Sequence, residues 1–306
     1  ESGSLSSMWL SRLTAWLLLV AFHHWVNAQD QNSFSDATSK SIWTLAYYTT
    51  SATPETCVPK KSPGWKVLSK VVVPGAPIFG QSQAVISVNE VKKQINIHFR
   101  GPDAVTTFIL SGYTYLLQSD FPVQPFEGLN VAQEFAKTFT AMWQGGLREA
   151  TNAAWEEYCD FPILVTGYSV GGCLASMYAV KIKKLGLWDY STISLYTYSS
   201  PRCGYQDFAL AVNAAAKERY MVRYNDYVIQ LPATTCTSIN PANPQNCYWH
   251  PGYGLQYAYS LWWGTTGPTR CATAETAGCL AGTILDISNH NGFYSGMSYG
   301  LWPPTC

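Results

Sequence analysis

A serine between two glycines is the strongest candidate for a nucleophile in the chain. Residues Gly167–Gly171 read G-Y-S-V-G and fit the pattern G-x-S-x-G, with Ser169 at the centre. In this pattern the serine lies on a sharp turn between a strand and a helix, and the glycines let both elements approach without a Cβ clash. The flanking sequence agrees, because it predicts a short apolar strand over Phe161–Thr166 and a helix over Gly171–Leu185. We therefore predict that Ser169 is a nucleophile; the alternative is a serine in a structural turn.

A nucleophilic serine needs a base, and histidine is the side chain that most often takes its proton. Beyond the N-terminal segment the chain contains His98, His250 and His290. Hydrolases with this kind of elbow present their triad in the chain order Ser, Asp, His, which argues against His98. His290 lies in a turn-rich stretch after a short β-like run, where a loop can present a base. We predict His290 as the base, and His250, within an aromatic loop region, stays open as the alternative.

The acid that orients the base must lie between the serine and the histidine. Asp226 directly follows a strand predicted over Tyr220–Tyr224, which places its carboxylate at the carboxyl edge of the sheet. Asp207 fits the first turn of a helix, Asp189 lies in a helix-to-strand loop, and Asp286 lies within the run before the candidate base. We predict Asp226 as the orienting acid; the alternative is an ordinary turn residue.

Strands and helices alternate around these residues and predict an α/β fold. A hairpin is predicted before the elbow, and the elements after it follow the order of a mostly parallel central sheet flanked by helices on both faces. From Leu231 to about Gly282 proline, glycine, cysteine and aromatic residues predict a disulfide-stapled loop region. The predicted elements are strands Ala84–Val88 and Gln94–Phe99, helix Asn130–Trp143, strand Ile193–Tyr198 and helix Gln206–Ala216, besides those named above.

The N-terminus has the features of a secretory signal peptide. Met8 is followed by one basic residue, Arg12, then by the apolar run Leu13–Phe22 and by small residues at Val26–Ala28. We expect residues 1–28 to comprise upstream residues and the signal, and residues 29–306 to form one domain that is secreted. The alternative is an uncleaved signal anchor. No later stretch approaches about 20 apolar residues, so no integral membrane span is expected in the mature chain.

Composition narrows the class of partner. The chain of 306 residues has 47% hydrophobic and 12% charged residues, which is typical of a globular protein. Lys plus Arg and Asp plus Glu are balanced at 19 each, without a basic stripe, so no nucleic-acid partner is expected. The composition does not indicate an oligomeric state.

Nine cysteines support secretion, since all follow the predicted signal. We expect Cys173, in a buried helix, to be the odd thiol, and we expect local pairs Cys236–Cys247 and Cys271–Cys279. A zinc site is the competing interpretation, but no C-x-x-C is present and histidines are few. No metal or other cofactor is therefore predicted.

Several further motifs occur in the order seen in one known family. The chain resembles the class 3 lipases, the fungal-lipase-like branch of the α/β-hydrolases, over roughly Val71 to Tyr294. This resemblance implies a secreted esterase that acts on triacylglycerols or related lipid esters without a metal, with Ser169, Asp226 and His290 as its triad. The motifs that carry the resemblance are Phe99–Gly101, Gly167–Gly171, Tyr198–Arg202, Asn225-Asp226 with Leu231-Pro232, and His290.

The resemblance also implies where substrate would bind. The family has a lid after its Arg-Gly motif, which here is Asp103–Leu110, with Val105, Phe108 and Ile109 on one possible helical face. Such residues suit an apolar lid that contacts a lipid ester and opens at a lipid–water interface; the alternative is an ordinary buried helix. Tyr168, where the family commonly has His, is a further candidate for substrate contact.

One residue departs from the family pattern at the oxyanion hole. The backbone N–H of Val170 is the expected first donor, and the family's second donor is a Ser or Thr after the Arg-Gly motif. Here that residue is Pro102, which has neither an N–H nor a hydroxyl. Losing one donor typically costs about 2.7–4 kcal/mol of transition-state stabilisation. The main hypothesis is thus a secreted carboxylic ester hydrolase, and the alternative is an impaired or inactive homologue that binds lipid.

Overall fold

The computed structural model describes residues 34–74, 80–101, 122–223, 226–256, 268–271 and 273–276, together with 290, 293–294, 297–298 and 306. The predicted signal peptide, Pro102 and the lid candidates Val105, Phe108 and Ile109 lie outside the described residues.

Asp36–Cys306 belong to one compact unit. In chain order the described elements are α1 (Asp36–Thr49), α2 (Pro54–Lys61), β1 (Lys66–Pro74), β2 (Gln81–Asn89), β3 (Gln94–Phe99), β4 (Val123–Phe126), β5 (Leu129–Ala132), α3 (Gln133–Met142), a π-helical turn (Trp143–Leu147), α4 (Arg148–Tyr158), β6 (Ile163–Tyr168), α5 (Val170–Lys184), a 3-10 turn (Tyr190–Thr192), β7 (Ile193–Tyr198), β8 (Gly204–Tyr205), α6 (Gln206–Ala215), β9 (Glu218–Arg223), a 3-10 turn (Val228–Gln230), β10 (Tyr248–Trp249), β11 (Tyr253–Gln256), β12 (Thr269–Cys271), β13 (Phe293–Tyr294) and β14 (Met297–Ser298).

An eight-stranded sheet forms the centre of the described fold, in the order β1-β2-β3-β6-β7-β9-β11-β12. The predicted hairpin is confirmed, since β2 pairs antiparallel with β3 and places Ala84 opposite Phe99. From β3 to β11 the neighbouring strands are parallel. Helix α5 connects β6 with β7, and α6 lies between β7 and β9 in the chain. Parallel strands end at the same edge of a sheet, so the loops after β3, β6, β7 and β9 converge there.

The two faces of the sheet bury different kinds of side chain. Alternate positions such as Ile97, Phe99 and Val165 point into an apolar core shared with α3 and α5. The intervening positions include His98 and Thr166, whose Nδ1 and Oγ1 atoms lie 2.9 Å apart. Burial, followed by the charge of Arg100, lowers the pKa of His98 to about 3, so this imidazole is neutral at physiological pH.

Some elements differ from the sequence prediction. The segment predicted as one helix over Asn130–Trp143 begins as strand β5, because residues 129–132 pair with β4 before the chain turns into α3. The C-terminal loop region is stapled at Cys236–Cys247, yet it also contributes β11 and β12 to the main sheet. These strands are short and their partners are distant in sequence, so local patterning does not reveal them.

The disulfides correct one prediction and confirm another. Cys173 is not the odd thiol: it is bonded to Cys203, which joins α5 to the segment after β7. Cys236–Cys247 is confirmed. The other described bridge is Cys57–Cys306. Cys159, which is exposed, is the free thiol among the described cysteines, and the predicted partner of Cys271 lies outside them.

A buried ion pair ties together the loops at the carboxyl edge of the sheet. Arg202, in the loop after β7, donates two hydrogen bonds of 2.8 Å to the carboxylate of Glu275. Its guanidinium also donates to the backbone oxygens of Gln230 and Pro232, in the loop that follows Asp226. Both charged side chains are 4% exposed. The pair therefore fixes the loop that carries Asp226 to the loop after β7.

Replacing Glu275 tests this anchor. Burial alone would raise the pKa of Glu275, but hydrogen bonds from Arg202 and the charges of His250 and Arg202 lower it to about 2, against 4.5 for an ordinary glutamate. A lowered pKa stabilises the folded state above pH 4.5, and this stabilisation is lost as the pH falls towards 2. Glu275→Gln leaves the buried guanidinium uncompensated and should lower the free energy of unfolding by about 3 kcal/mol at neutral pH.

Urea unfolding between pH 7 and pH 2 measures this effect. The difference between the wild type and Glu275→Gln should shrink as the pH falls from 4.5 to 2. Glu90→Gln is the matched control, because Glu90 forms an exposed ion pair with Lys66 and should change stability little. A constant difference across this pH range would contradict the assigned ionisation of Glu275.

Candidate active site

Ser169 lies on a strained turn between β6 and α5. Its backbone has φ 54° and ψ −126°, a conformation that costs a non-glycine residue about 1–3 kcal/mol. Two hydrogen bonds of 2.9 Å hold the turn: the N–H of Ser169 donates to the carbonyl of Tyr198, and the N–H of Gly172 donates to the carbonyl of Ser169. The side chain therefore points away from the regular strand and helix directions, as the elbow prediction requires.

The glycines of the elbow allow contacts that no other residue would permit. A Cβ placed on Gly167 would lie 2.0 Å from the carbonyl oxygen of Gly171, and a Cβ on Gly171 would lie 2.1 Å from that of Phe99. At Gly101 a Cβ would lie 3.4 Å from the Cβ of Ser169. Strand β6, helix α5 and the end of β3 thus meet around the serine.

The three residues predicted as a triad are hydrogen-bonded to one another. His290 Nε2 lies 2.7 Å from Ser169 Oγ, and His290 Nδ1 lies 2.7 Å from Asp226 Oδ2. The other carboxylate oxygen of Asp226 accepts the N–H of Val228 at 2.9 Å. All three side chains are buried. With the Nδ1 proton directed to Asp226, Nε2 is left to accept the proton of Ser169, which is the arrangement that general-base activation needs.

Val170 is the first residue of α5, so its N–H belongs to the first turn of the helix and has no intrahelical acceptor. The partial positive charge at a helix N-terminus favours negative charge there. The structure therefore has one predicted oxyanion donor beside the serine. Gly101 is the last described residue before this position, so Pro102, where the family has its second donor, lies outside the described residues.

Tyr168 packs against the side chain of His290. Its ring stacks on the imidazole of His290, with centroids 5.3 Å apart and an interplanar angle of 25°, and its hydroxyl donates to the backbone oxygen of His290. The ring of Trp43 also packs on Tyr168 in a T-shaped arrangement, with ring centroids 5.8 Å apart. Burial, followed by the charge of Asp226, raises the pKa of Tyr168 well above 10, so the hydroxyl keeps its proton.

The other described candidate bases and acids from the sequence have partners other than Ser169. His98 is within the sheet, bonded to Thr166, and His250 Nε2 lies 2.6 Å from the carbonyl of Ile229. Asp207 lies in the first turn of α6, as expected, and its carboxylate accepts two hydrogen bonds from Asn130. Asp189 is exposed, with its carboxylate 3.8 Å from Lys183. Asp286 lies outside the described residues.

The residues that support the turn have little signal in the sequence. Trp43 packs on Tyr168 and also on Tyr198, at 4.7 Å between ring centroids, although it is more than 120 residues away in the chain. Arg202 appeared only as part of a motif. The one available signal for Trp43 was the apolar periodicity of α1, which indicates a buried face but not its partner.

The described residues contain neither a candidate metal site nor a candidate membrane-spanning helix. No group of three or more His, Cys, Asp or Glu side chains that could hold a metal ion is found there. In the same part of the chain, no helix is both long and apolar enough to cross a membrane.

Sequence comparison connects the chain with lipases. The family described as Lipase (class 3) matches residues 96–236. Lipase ZK262.3 of Caenorhabditis elegans is 29% identical over 149 residues, which cover 48% of this chain and 40% of the relative. Secreted mono- and diacylglycerol lipase 1 of Fusarium solani is 28% identical over 52% of this chain and 46% of its own length. The chain thus matches about half the length of these curated relatives.

Solved structures show the same fold. The lipase of Rhizopus microsporus var. chinensis matches with a TM-score of 0.64 and 18% identity, over 89% of this chain and 88% of the neighbour. Lipase II of Rhizopus niveus matches with a TM-score of 0.66 and 17% identity, over 89% and 96%. Residues 96–236 are thus similar to the class 3 lipases, and the described fold is similar to that of solved lipases.

Proposed function

We propose that the protein is a secreted carboxylic ester hydrolase that acts on lipid esters through Ser169, His290 and Asp226. The observation that carries the proposal is the continuous hydrogen-bonded chain from Ser169 Oγ through the imidazole to the carboxylate, with both distances at 2.7 Å. The match of residues 96–236 to the class 3 lipase family supports the same chemistry.

The geometry supports a two-step acyl transfer. Ser169 Oγ attacks the ester carbonyl while His290 Nε2 accepts its proton, and Asp226 stabilises the imidazolium. The oxyanion accepts a hydrogen bond from the N–H of Val170. When the intermediate collapses, His290 returns the proton to the leaving alcohol. Water, deprotonated by the same histidine, then attacks the acyl enzyme and releases the acid and the free serine.

The substrate class and location are supported by the relatives and by the disulfides. The Fusarium relative is named a secreted mono- and diacylglycerol lipase, and one structural neighbour is described as a triacylglycerol lipase with a serine protease triad. Disulfides such as Cys57–Cys306 form in oxidising compartments. Val105, Phe108 and Ile109 remain the proposed apolar contacts of the substrate, at a lipid–water interface.

The alternative is a homologue that binds lipid without efficient turnover, and Pro102 is the observation that favours it. A proline cannot donate the second hydrogen bond to an oxyanion, which should slow the reaction by roughly a hundred- to a thousandfold. The buried, hydrogen-bonded triad argues for the hydrolase instead, because lipid binding alone needs neither the strained turn at Ser169 nor its base.

Replacing Ser169 tests the nucleophile. Ser169→Ala should abolish labelling by a fluorophosphonate probe and lower hydrolysis of a short-chain nitrophenyl ester by at least about 10³-fold. Ser176→Ala is the matched control, because Ser176 is buried on the same helix and its hydroxyl donates to the carbonyl of Gly172. Its labelling should equal that of the wild type. A folded wild-type protein that is neither labelled nor active would favour the lipid-binding alternative.

Replacing the two histidines identifies the base. His290→Ala should lower kcat by at least about 10³-fold, since Oγ loses its proton acceptor. His250→Gln should keep kcat within about threefold of the wild type, because His250 contacts Ile229 and Glu275 rather than the serine. Steady-state hydrolysis of the same ester checks both variants. Equal losses in the two variants would contradict the assignment of His290.

A further inference from the structure

Tyr168 and Ser169 are neighbours in the chain, and both contact the same histidine. The hydroxyl of Ser169 lies 2.7 Å from the imidazole, whereas the hydroxyl of Tyr168 donates to the backbone carbonyl of His290. Asp226 holds the other imidazole nitrogen. His290 is therefore restrained at its backbone by one residue of the elbow and at its ring by a carboxylate from the loop after β9.

The ring of Tyr168 adds a second restraint on the imidazole. It is stacked rather than edge-on, with an interplanar angle of 25° to His290. Stacking limits rotation of the imidazole out of the plane that its nitrogens need for both hydrogen bonds. The face of an aromatic ring also attracts a cation, so this contact favours the imidazolium that forms when the serine loses its proton.

Tyr168 is itself held in place by a second aromatic contact. Trp43 of α1 packs on Tyr168 in a T-shaped arrangement and also contacts the ring of Tyr198, whose carbonyl accepts the N–H of Ser169. Tyr168 is 5% exposed and Trp43 is 1% exposed. These contacts leave the tyrosine directed at the histidine and away from solvent, which is not the environment of a side chain that binds substrate directly.

We propose that Tyr168 is a positioning residue for the base: its hydroxyl fixes the backbone of His290 and its ring orients the imidazole towards Ser169. The inference rests on the proposed hydrolase function and assigns to Tyr168 a role other than the substrate contact predicted from the sequence. Because residues 168 and 169 share one turn, the elbow sets the positions of both the nucleophile and the base.

The sharpest test removes one hydroxyl. Tyr168→Phe keeps the stacked ring but loses the hydrogen bond to the carbonyl of His290. Small displacements of catalytic groups cost up to about a hundredfold in rate, so kcat for a soluble short-chain nitrophenyl ester should fall by about 10- to 100-fold while KM stays within about threefold. Tyr168→Leu also removes the ring and should lower kcat further.

Tyr178→Phe is the matched control. Tyr178 is fully buried on α5, and its hydroxyl lies 3.1 Å from Thr151 Oγ1. It belongs to the apolar core that α5 shares with the sheet, and Tyr168 does not. This variant also loses one buried hydroxyl, so its thermal stability should fall to a similar extent. Its kcat should stay within twofold of the wild type. An equal loss of kcat in both variants would show that general destabilisation, and not positioning, explains the effect.

A readout that needs no turnover separates this inference from the proposed function. The proton between His290 Nδ1 and Asp226 gives a downfield proton NMR signal when the histidine is held. That signal should be present in the wild type and in Tyr178→Phe, and broadened or absent in Tyr168→Phe. An unchanged signal in Tyr168→Phe, or a raised KM with unchanged kcat, would overturn the positioning role. An inactive, unlabelled wild type that shows the predicted NMR differences would reject the hydrolase and retain the positioning contact.

Discussion

The backbone strain at Ser169 is the constraint on which the site depends. A φ of 54° is unfavourable for serine, and the surrounding contacts must hold the residue there. They do so because Gly167 and Gly171 let β6, α5 and the end of β3 approach to distances that any Cβ would block. Relaxing the turn would move the hydroxyl out of reach of His290 and would also move the N–H of Val170. The proposed nucleophile and the proposed oxyanion donor are thus positioned by one local backbone conformation.

The rest of the fold brings the partners of Ser169 to the same edge of the sheet. Parallel strands β6, β7 and β9 are consecutive in the sheet and end at the same edge, so the loop after β9 places Asp226 near the elbow. The ion pair of Arg202 with Glu275 fixes that loop to the segment after β7. The disulfide between Cys173 and Cys203 fixes the same segment to the helix that follows the nucleophile. Two independent crosslinks, one ionic and one covalent, therefore hold the loops that position the site.

The periodicity and spacing of residues along the chain predicted those elements whose conformation depends on neighbouring residues. The hairpin of β2 and β3, strand β7 and helix α6 follow from periodicity, and the elbow follows from its glycines. The disulfide of Cys173 could not be predicted in this way, because a cysteine in a buried helix has the same pattern as any small apolar residue and Cys203 is 30 positions away. Strand β11 was missed because its four residues gain their place by pairing with β9. The contact of Tyr168 joins residues 122 positions apart and has no sequence signal at all.

The departure at Pro102 makes the remaining restraints more important for the proposed reaction. Gly101 lies against the elbow, so the chain continues from there with a residue that has no N–H to donate. Stabilisation of the oxyanion then falls mainly on Val170 and the N-terminus of α5. An enzyme with a weakened oxyanion hole relies more on the proton transfer between serine and histidine, which is sensitive to small displacements. In the proposed mechanism the strained turn, the buried carboxylate and the stacked tyrosine all hold the two partners of that transfer in place, and the strained turn has a cost in stability that lipid binding alone would not require.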